Sequence, residues 1–241
     1  MKRKISRLFL GTIVLTMALG LSLVAAPPVC ATNGITMADT LGGLDVVIGD
    51  KSFENFRDYV SIGTNGALAV NPSQISLSYS INASGDYVID YLSGAFLVGA
   101  GQLQSTRYMY DVRVTTGLPK LEDNGLFLLL PYQLENAKIS ISETVTDASG
   151  NVLGEKLVID DHGNPVVVFD HISWSPTVDL LTVATSIDLI GDNIPGIAVN
   201  ASIGGFSQSF SQTAAPVPEP STFLLLGAGL GGLALLKRKR S

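Results

Sequence analysis

The chain has 241 residues, 46% hydrophobic and 15% charged, with a net charge of −6, one cysteine and two histidines. A single cysteine excludes an internal disulfide framework, and the acidic balance excludes the basic surface that nucleic acid requires. Lys2, Arg3, Lys4 and Arg7 open the chain and Lys237 to Arg240 close it, so the stretch between holds all 21 acids against seven bases. That stretch repels polyanions.

The first predicted element is a secretion signal over residues 1–31. The four basic residues form its positive head, Leu8 to Ala26 is uncharged and apolar, and Val29-Cys30-Ala31 supplies small residues before a cut between Ala31 and Thr32. Signal peptidase is the implied partner. Val29 is bulkier than the Gly or Ala expected before a lipidated cysteine, so Cys30 leaves with the signal. No thiol chemistry then remains in the exported part.

From Thr32 onward the pattern is β. Phe53, Phe56 and Tyr59 recur every third residue, which predicts one brief helical turn. Ile75, Leu77, Tyr79 and Ile81 then alternate with Ser76, Ser78 and Ser80, a period of two that marks a half-buried strand. Tyr108, Tyr110, Val112 and Val114 repeat it, as do Ile139 and Ile141. The cluster Asp147-Ala148-Ser149-Gly150-Asn151 between two such runs predicts a hairpin over Lys138 to Ile159. Further strand-like runs fall at Val166 to Phe169, Val178 to Leu189 and Ile197 to Ile203, with Phe206 and Phe210 alternating on a last strand. Many short strands separated by turns predict an all-β fold, an antiparallel β-sandwich of Ig-like or jelly-roll order, over residues 32–211. Residues 212–217 read as a linker.

Reactive groups are sparse along this domain. His162 sits in a turn, and His171 has Asp170 beside it as a partner, or Asp160 or Asp161 as a co-ligand for a metal. Asp86 and Asp90 flank Tyr87 and Tyr91, and these four are the candidate glycan contacts, since carboxylates bond sugar hydroxyls and rings stack on pyranose faces. A concave sheet face lined by Tyr79, Tyr87, Tyr91, Tyr108 or Tyr110 would serve the same end. The Asp147–Asn151 and Asp160–Asn164 clusters lack EF-hand spacing and read as turns. No catalytic residue, metal site or cofactor is predicted.

The tail is the most specific element. Pro218 and Pro220 hold Glu219 on an extended, exposed backbone. The 15 residues from Thr222 to Leu236 are uncharged and would span only about 22 Å as a helix, short for a bilayer. Lys237 to Arg240 then act as a cytoplasmic stop. Residues 218–241 thus read as a processing address with a transient membrane helix at 222–236. Pro218-Glu219-Pro220, the Gly- and Leu-rich run and the basic end resemble the PEP-CTERM sorting signal of exported proteins in Gram-negative bacteria. The resemblance implies an exosortase as processing partner, a cytoplasmic-membrane intermediate, and delivery to the cell surface or extracellular polymer. Leu44 through Phe56 and Gly204 through Phe210 are similar to the ectodomain common among such substrates. Three function classes follow. The leading one is a non-catalytic surface or matrix protein associated with exopolysaccharide or biofilm. A carbohydrate-binding module is the alternative, and a two-carboxylate polysaccharide hydrolase is the third.

Overall fold

A computed structural model describes residues 34–116, 120–134, 136–161, 166–193 and 199–213. In chain order the elements are β1 (Ile35–Thr36), α1 (Met37–Leu41), β2 (Val46–Ile48), β3 (Lys51–Thr64), a 3-10 turn (Pro72–Gln74), β4 (Ser76–Ile81), β5 (Tyr87–Leu92), β6 (Leu97–Val98) and β7 (Leu103–Val114). They continue through β8 (Leu121–Gln133), β9 (Lys138–Asp147), β10 (Val152–Asp161), β11 (Phe169–Val178), β12 (Leu180–Ile190) and β13 (Ala201–Gln212).

The strands form two antiparallel sheets packed face to face. Sheet A runs β1-β4-β5-β13-β8-β11 with β6 also on β13, and sheet B runs β10-β9-β12-β7-β3-β2. Leaving aside the two-residue β6, the strands from β5 to β13 pair in nested fashion: β5 with β13, β7 with β12, β8 with β11, and β9 with β10. One long hairpin rolled across both sheets gives this pairing. It is the jelly-roll order and separates the fold from the Ig alternative.

Alternation decides what fills the space between the sheets. Ile75, Leu77, Tyr79, Val112, Val114, Ile139 and Ile141 are buried, and Ile81 packs half-buried against them. The predicted hairpin forms as β9 and β10, and its turn is held by Asp147, which accepts from the backbone N–H groups of Ser149 (2.8 Å) and Asn151 (2.9 Å). The last strand carries Phe206 and Phe210 inward, both fully buried. At the β2 to β3 hairpin, Gly49 has φ +57° and lies against the Tyr87 ring, so a side chain there would meet both backbone strain and the phenol.

The expected helical turn at Phe53, Phe56 and Tyr59 does not form. These residues lie on β3, where the register slips once between Glu54 and Arg57 and again between Arg57 and Val60. Asn55 and Asp58 take left-handed φ values of 56° at these two bulges. Each bulge inserts one residue, which converts the strand's period of two into three and keeps Phe53, Phe56 and Tyr59 on the core side. Strand β8 also adds to the expected elements. Its run Leu126-Phe127-Leu128-Leu129-Leu130 is apolar on both faces and carries no alternation to read.

Candidate functional site

The tyrosines expected to line an open sugar platform lie between the sheets. Tyr79, Tyr91 and Tyr110 are 0% exposed, Tyr108 1% and Tyr87 5%. Two of the rings stack on phenylalanines, Tyr91 on Phe206 at 4.5 Å and Tyr110 on Phe56 at 4.8 Å between centroids. Burial pushes all five phenols above their ordinary range, Tyr87 to about 12. Asp86 and Asp90 alternate with the rings and so face the opposite way. Asp86 accepts from the Asn82 amide at 2.8 Å, and Asp90 from the Ser207 hydroxyl. The four residues Asp86, Tyr87, Asp90 and Tyr91 therefore do not assemble into one surface, because consecutive side chains of β5 point to opposite faces.

His171 is displaced from its expected partner too. Its Nε2 lies 3.2 Å from Asp123 Oδ2 on the neighbouring β8, while the Asp170 carboxylate accepts the backbone N–H groups of Leu157 and His171, each at 2.8 Å. His162 lies outside the described residues, as do the predicted signal cut at Ala31 and Thr32, the membrane helix, and Pro218, Glu219 and Pro220. No group of three or more potential metal-ligating side chains occurs among the described residues. No described helix is long and apolar enough to cross a membrane.

Two polar features lie outside the expected site residues. The first is a buried layer through the middle of the sandwich. Lys156, Glu143, Thr185 and Tyr108 are direct register partners across β10, β9, β12 and β7, and all face inward. Lys156 Nζ lies 2.6 Å from Glu143 Oε2, with both side chains 0% exposed, and also donates to Asn124 of sheet A. Gln208, at the centre of sheet A, donates to Glu143 and Thr185 and accepts from the Tyr110 hydroxyl. Burial lowers the Lys156 pKa, and Glu143 opposes that shift. The sequence held a signal for this layer: Glu143 occupies the core phase of Ile139, Ile141 and Val145, Thr185 that of Val183 and Ile187, and Gln208 that of Phe206 and Phe210.

The second feature is a trough on the outer face of sheet B. Its register rows read Val60, Arg107, Ser186, Ser142, Leu157 and, one step along, Arg57, Met109, Ala184, Thr144, Glu155. The two middle strands, β12 and β9, present only small side chains in these rows, and the strands flanking them present long ones. The result is a hollow of about 520 Å³ lined by Asp58, Arg107, Met109, Ser142, Thr144, Ala184 and Ser186 among others. A second hollow of about 400 Å³ shares Ser142 and Thr144 with it and extends to Glu155, Leu157 and Asp170. A third, of about 450 Å³, continues along the strands past Ser105, Ser140 and Asp188.

Residues 216–240 match the model of the PEP-CTERM protein-sorting motif. The PEP-CTERM motif is an exosortase substrate signal, so the chain bears the address of a protein exported through the membrane to the cell surface. No curated protein matches the chain. Among solved structures, it is similar to the enzymatically active domain of bacteriophage CBA120 tailspike protein 4, at 11% identity and a TM-score of 0.27, over 66% of this chain and 19% of that one. A DUF4465 family protein from Bacteroides caccae aligns at 8% identity and a TM-score of 0.27, over 65% of this chain and 100% of that one. A structure of carbohydrate-binding modules from the β-sandwich superfamily aligns at 7% identity and a TM-score of 0.21, over 74% and 59%. The chain spans about a fifth of the tailspike domain, and likenesses this remote carry no argument about function.

Proposed function

We propose that this protein is a non-catalytic component of the cell surface or extracellular matrix, trimmed by an exosortase and retained in exopolysaccharide or biofilm. The single observation that carries the reading is the PEP-CTERM motif at residues 216–240. The domain's chemistry supports it, because many of its carboxylates serve the fold. Asp111 holds Arg57, Asn55 and Thr182, Glu54 holds Arg113, Asp50 holds Lys51 and Tyr87, and Glu143 holds Lys156. A polysaccharide hydrolase, by contrast, needs two carboxylates free to face each other across a cleft. The central hollow of sheet B is lined by one acid, Asp58, and in the hollow beside it Glu143 is paired with Lys156 and the Asp170 carboxylate accepts two backbone N–H groups, which leaves Glu155.

Glu219→Ala tests the reading. The substituted protein should be exported and folded but keep its tail, whereas the unaltered protein is trimmed near Pro218. Intact-mass measurement of the mature C-terminus reads the difference, and identical trimming of both would leave only a plain tail anchor. Release of reducing ends from the native exopolysaccharide by the purified protein would overturn the non-catalytic part.

A further inference from the structure

We infer that the trough on the outer face of sheet B binds a neutral, hydroxyl-rich glycan chain, gripped by Arg107 and Asp58 over a floor of Ser142, Thr144, Ala184 and Ser186. The inference rests on the surface-protein reading for its supply of polysaccharide, and on four observations for its place.

The relief comes first. Small side chains on β12 and β9 lie between Arg107 and Met109 on β7 and Glu155 and Leu157 on β10, in register. With strands about 4.8 Å apart, the flanking backbones stand about 14 Å from each other and leave an open channel two strands wide. An extended polymer fits such a channel along its length.

Arg107 is the second observation. The other two arginines of this face are paired, Arg57 with Asp111 at 3.0 Å and Arg113 with Glu54 at 2.6 Å. Arg107, exposed between Val60 and Ser186, has no ion-pair or hydrogen-bond partner among the described residues. Its fixed fork of donors suits adjacent hydroxyls of a sugar ring. Asp58 supplies the complementary acceptor. The bulge that gives it a φ of 56° turns it out of the strand's alternation and onto the rim of the hollow.

Charge is the third. Arg107 and Asp58 are the charged residues lining the central hollow, so that hollow is neutral, and Glu155 on the β10 wall adds a single acid to the trough, within a chain whose middle carries 21 acids against seven bases. The body repels a polyanion, and a polycation would be drawn to the acidic surfaces elsewhere. A neutral polyol has no such competition.

Rigidity is the fourth. Ser142 and Thr144 flank Glu143, Ala184 and Ser186 flank Thr185, and Arg107 and Met109 flank Tyr108. The floor of the trough is therefore the reverse side of the buried layer in which Lys156, Glu143, Thr185 and Gln208 are locked together. A floor that does not have to reorder on contact loses less entropy in binding.

The test uses the full-length protein, detergent-solubilised, in native gels containing dextran, galactomannan, mixed-linkage β-glucan or alginate. At least one of the three neutral polymers should retard it and alginate should not. Arg107→Ala and Ala184→Tyr, the latter filling the channel, should each weaken retardation at least tenfold without lowering the melting temperature, and Arg107→Lys should fall between. Unchanged mobility in all three neutral polymers, retardation by alginate alone, or wild-type binding by Ala184→Tyr would overturn the inference. The mature C-terminal mass, measured on native-envelope samples of the same variants, separates the two readings: correct trimming without binding sinks only the glycan site, and binding without trimming sinks only the sorting route.

Discussion

The two faces of sheet B are built from the same strands, and their difference lies in which alternate residue carries charge. On β9 the inner face places Glu143 opposite a buried lysine, while one residue to either side Ser142 and Thr144 meet solvent. On β12 Thr185 donates to Glu143 inside, while Ala184 and Ser186 outside leave the channel open. The inner face thus uses its polar groups to fix how the two sheets meet. Over the trough the outer face leaves Arg107 and its small polar side chains accessible. A charged residue on a strand accordingly says nothing about solvent until its phase is known.

Breaking the inner layer should give the largest effect. Glu143→Leu alone would strand the Lys156 ammonium in the core, at a cost of about 3–5 kcal/mol, whereas Glu143→Leu with Lys156→Met removes both charges and should recover most of that loss. Urea denaturation of the three proteins checks it; a double variant as unstable as the single one would show that the layer does more than neutralise itself. Next in size is Tyr110→Phe, which takes away the hydroxyl that donates to Gln208 and should cost about 1–3 kcal/mol.

The same contrast can be sharpened with alkali. Tyr59 and Tyr87 are pushed up to about 12, and Tyr79, Tyr91, Tyr108 and Tyr110 are raised as well, in each case chiefly by burial. An acid whose folded pKa is raised holds its proton while the unfolded chain releases it. Stability should therefore begin to fall as pH passes about 10, the unfolded tyrosine value. Absorbance near 295 nm should show these six of the chain's seven tyrosines ionising together with unfolding, and gradual ionisation of more than one phenol in the folded protein would contradict their burial.

On the outer face the effects are smaller. Burial works to raise the Asp111 pKa, but its bonds to Thr182, Asn55 and Arg57 outweigh this and hold the carboxyl below its ordinary value. Its contribution is complete above the unfolded aspartate value near 3.9 and is lost as pH falls through the lower folded one. Asp111→Asn should cost about 1 kcal/mol at pH 7 and nothing near pH 2, as thermal melts at the two pH values would show. Ser142→Ala should change stability by no more than about 0.5 kcal/mol, because its hydroxyl points into the channel.

How much of this the sequence revealed depended on contrast between faces. β4, β7 and β9 were legible because serines, threonines and charges alternate with apolar residues. β8 was not, since Phe127 and Leu130 are exposed hydrophobics beside buried Leu126 and Leu128. β3 misled through its two bulges, which no local composition announces. The nearness of Asp86 and Asp90 to Tyr87 and Tyr91 in the sequence suggests one contact set, but neighbouring side chains of a strand face opposite ways, so the four separate onto two faces. The trough needed three register assignments at once, between β7, β12, β9 and β10, and these arise only when the hairpin rolls up. The sorting tail was the opposite case: contiguous, and legible without any fold.

The closing strand carries a consequence for timing. β13 is last in the domain yet lies in the middle of sheet A, between β5 and β8. A chain threaded through a membrane from its N-terminus delivers those two neighbours first, with nothing to join them. Only when Gln212 emerges can the sheet close, and Thr213 is then pinned to Lys120 by backbone and hydroxyl bonds. Four residues, Ala214 to Val217, separate Thr213 from Pro218, a covalent reach of at most about 18 Å. Completion of sheet A therefore waits on the last strand of the domain, which is also the strand that directly precedes the sorting motif in the sequence.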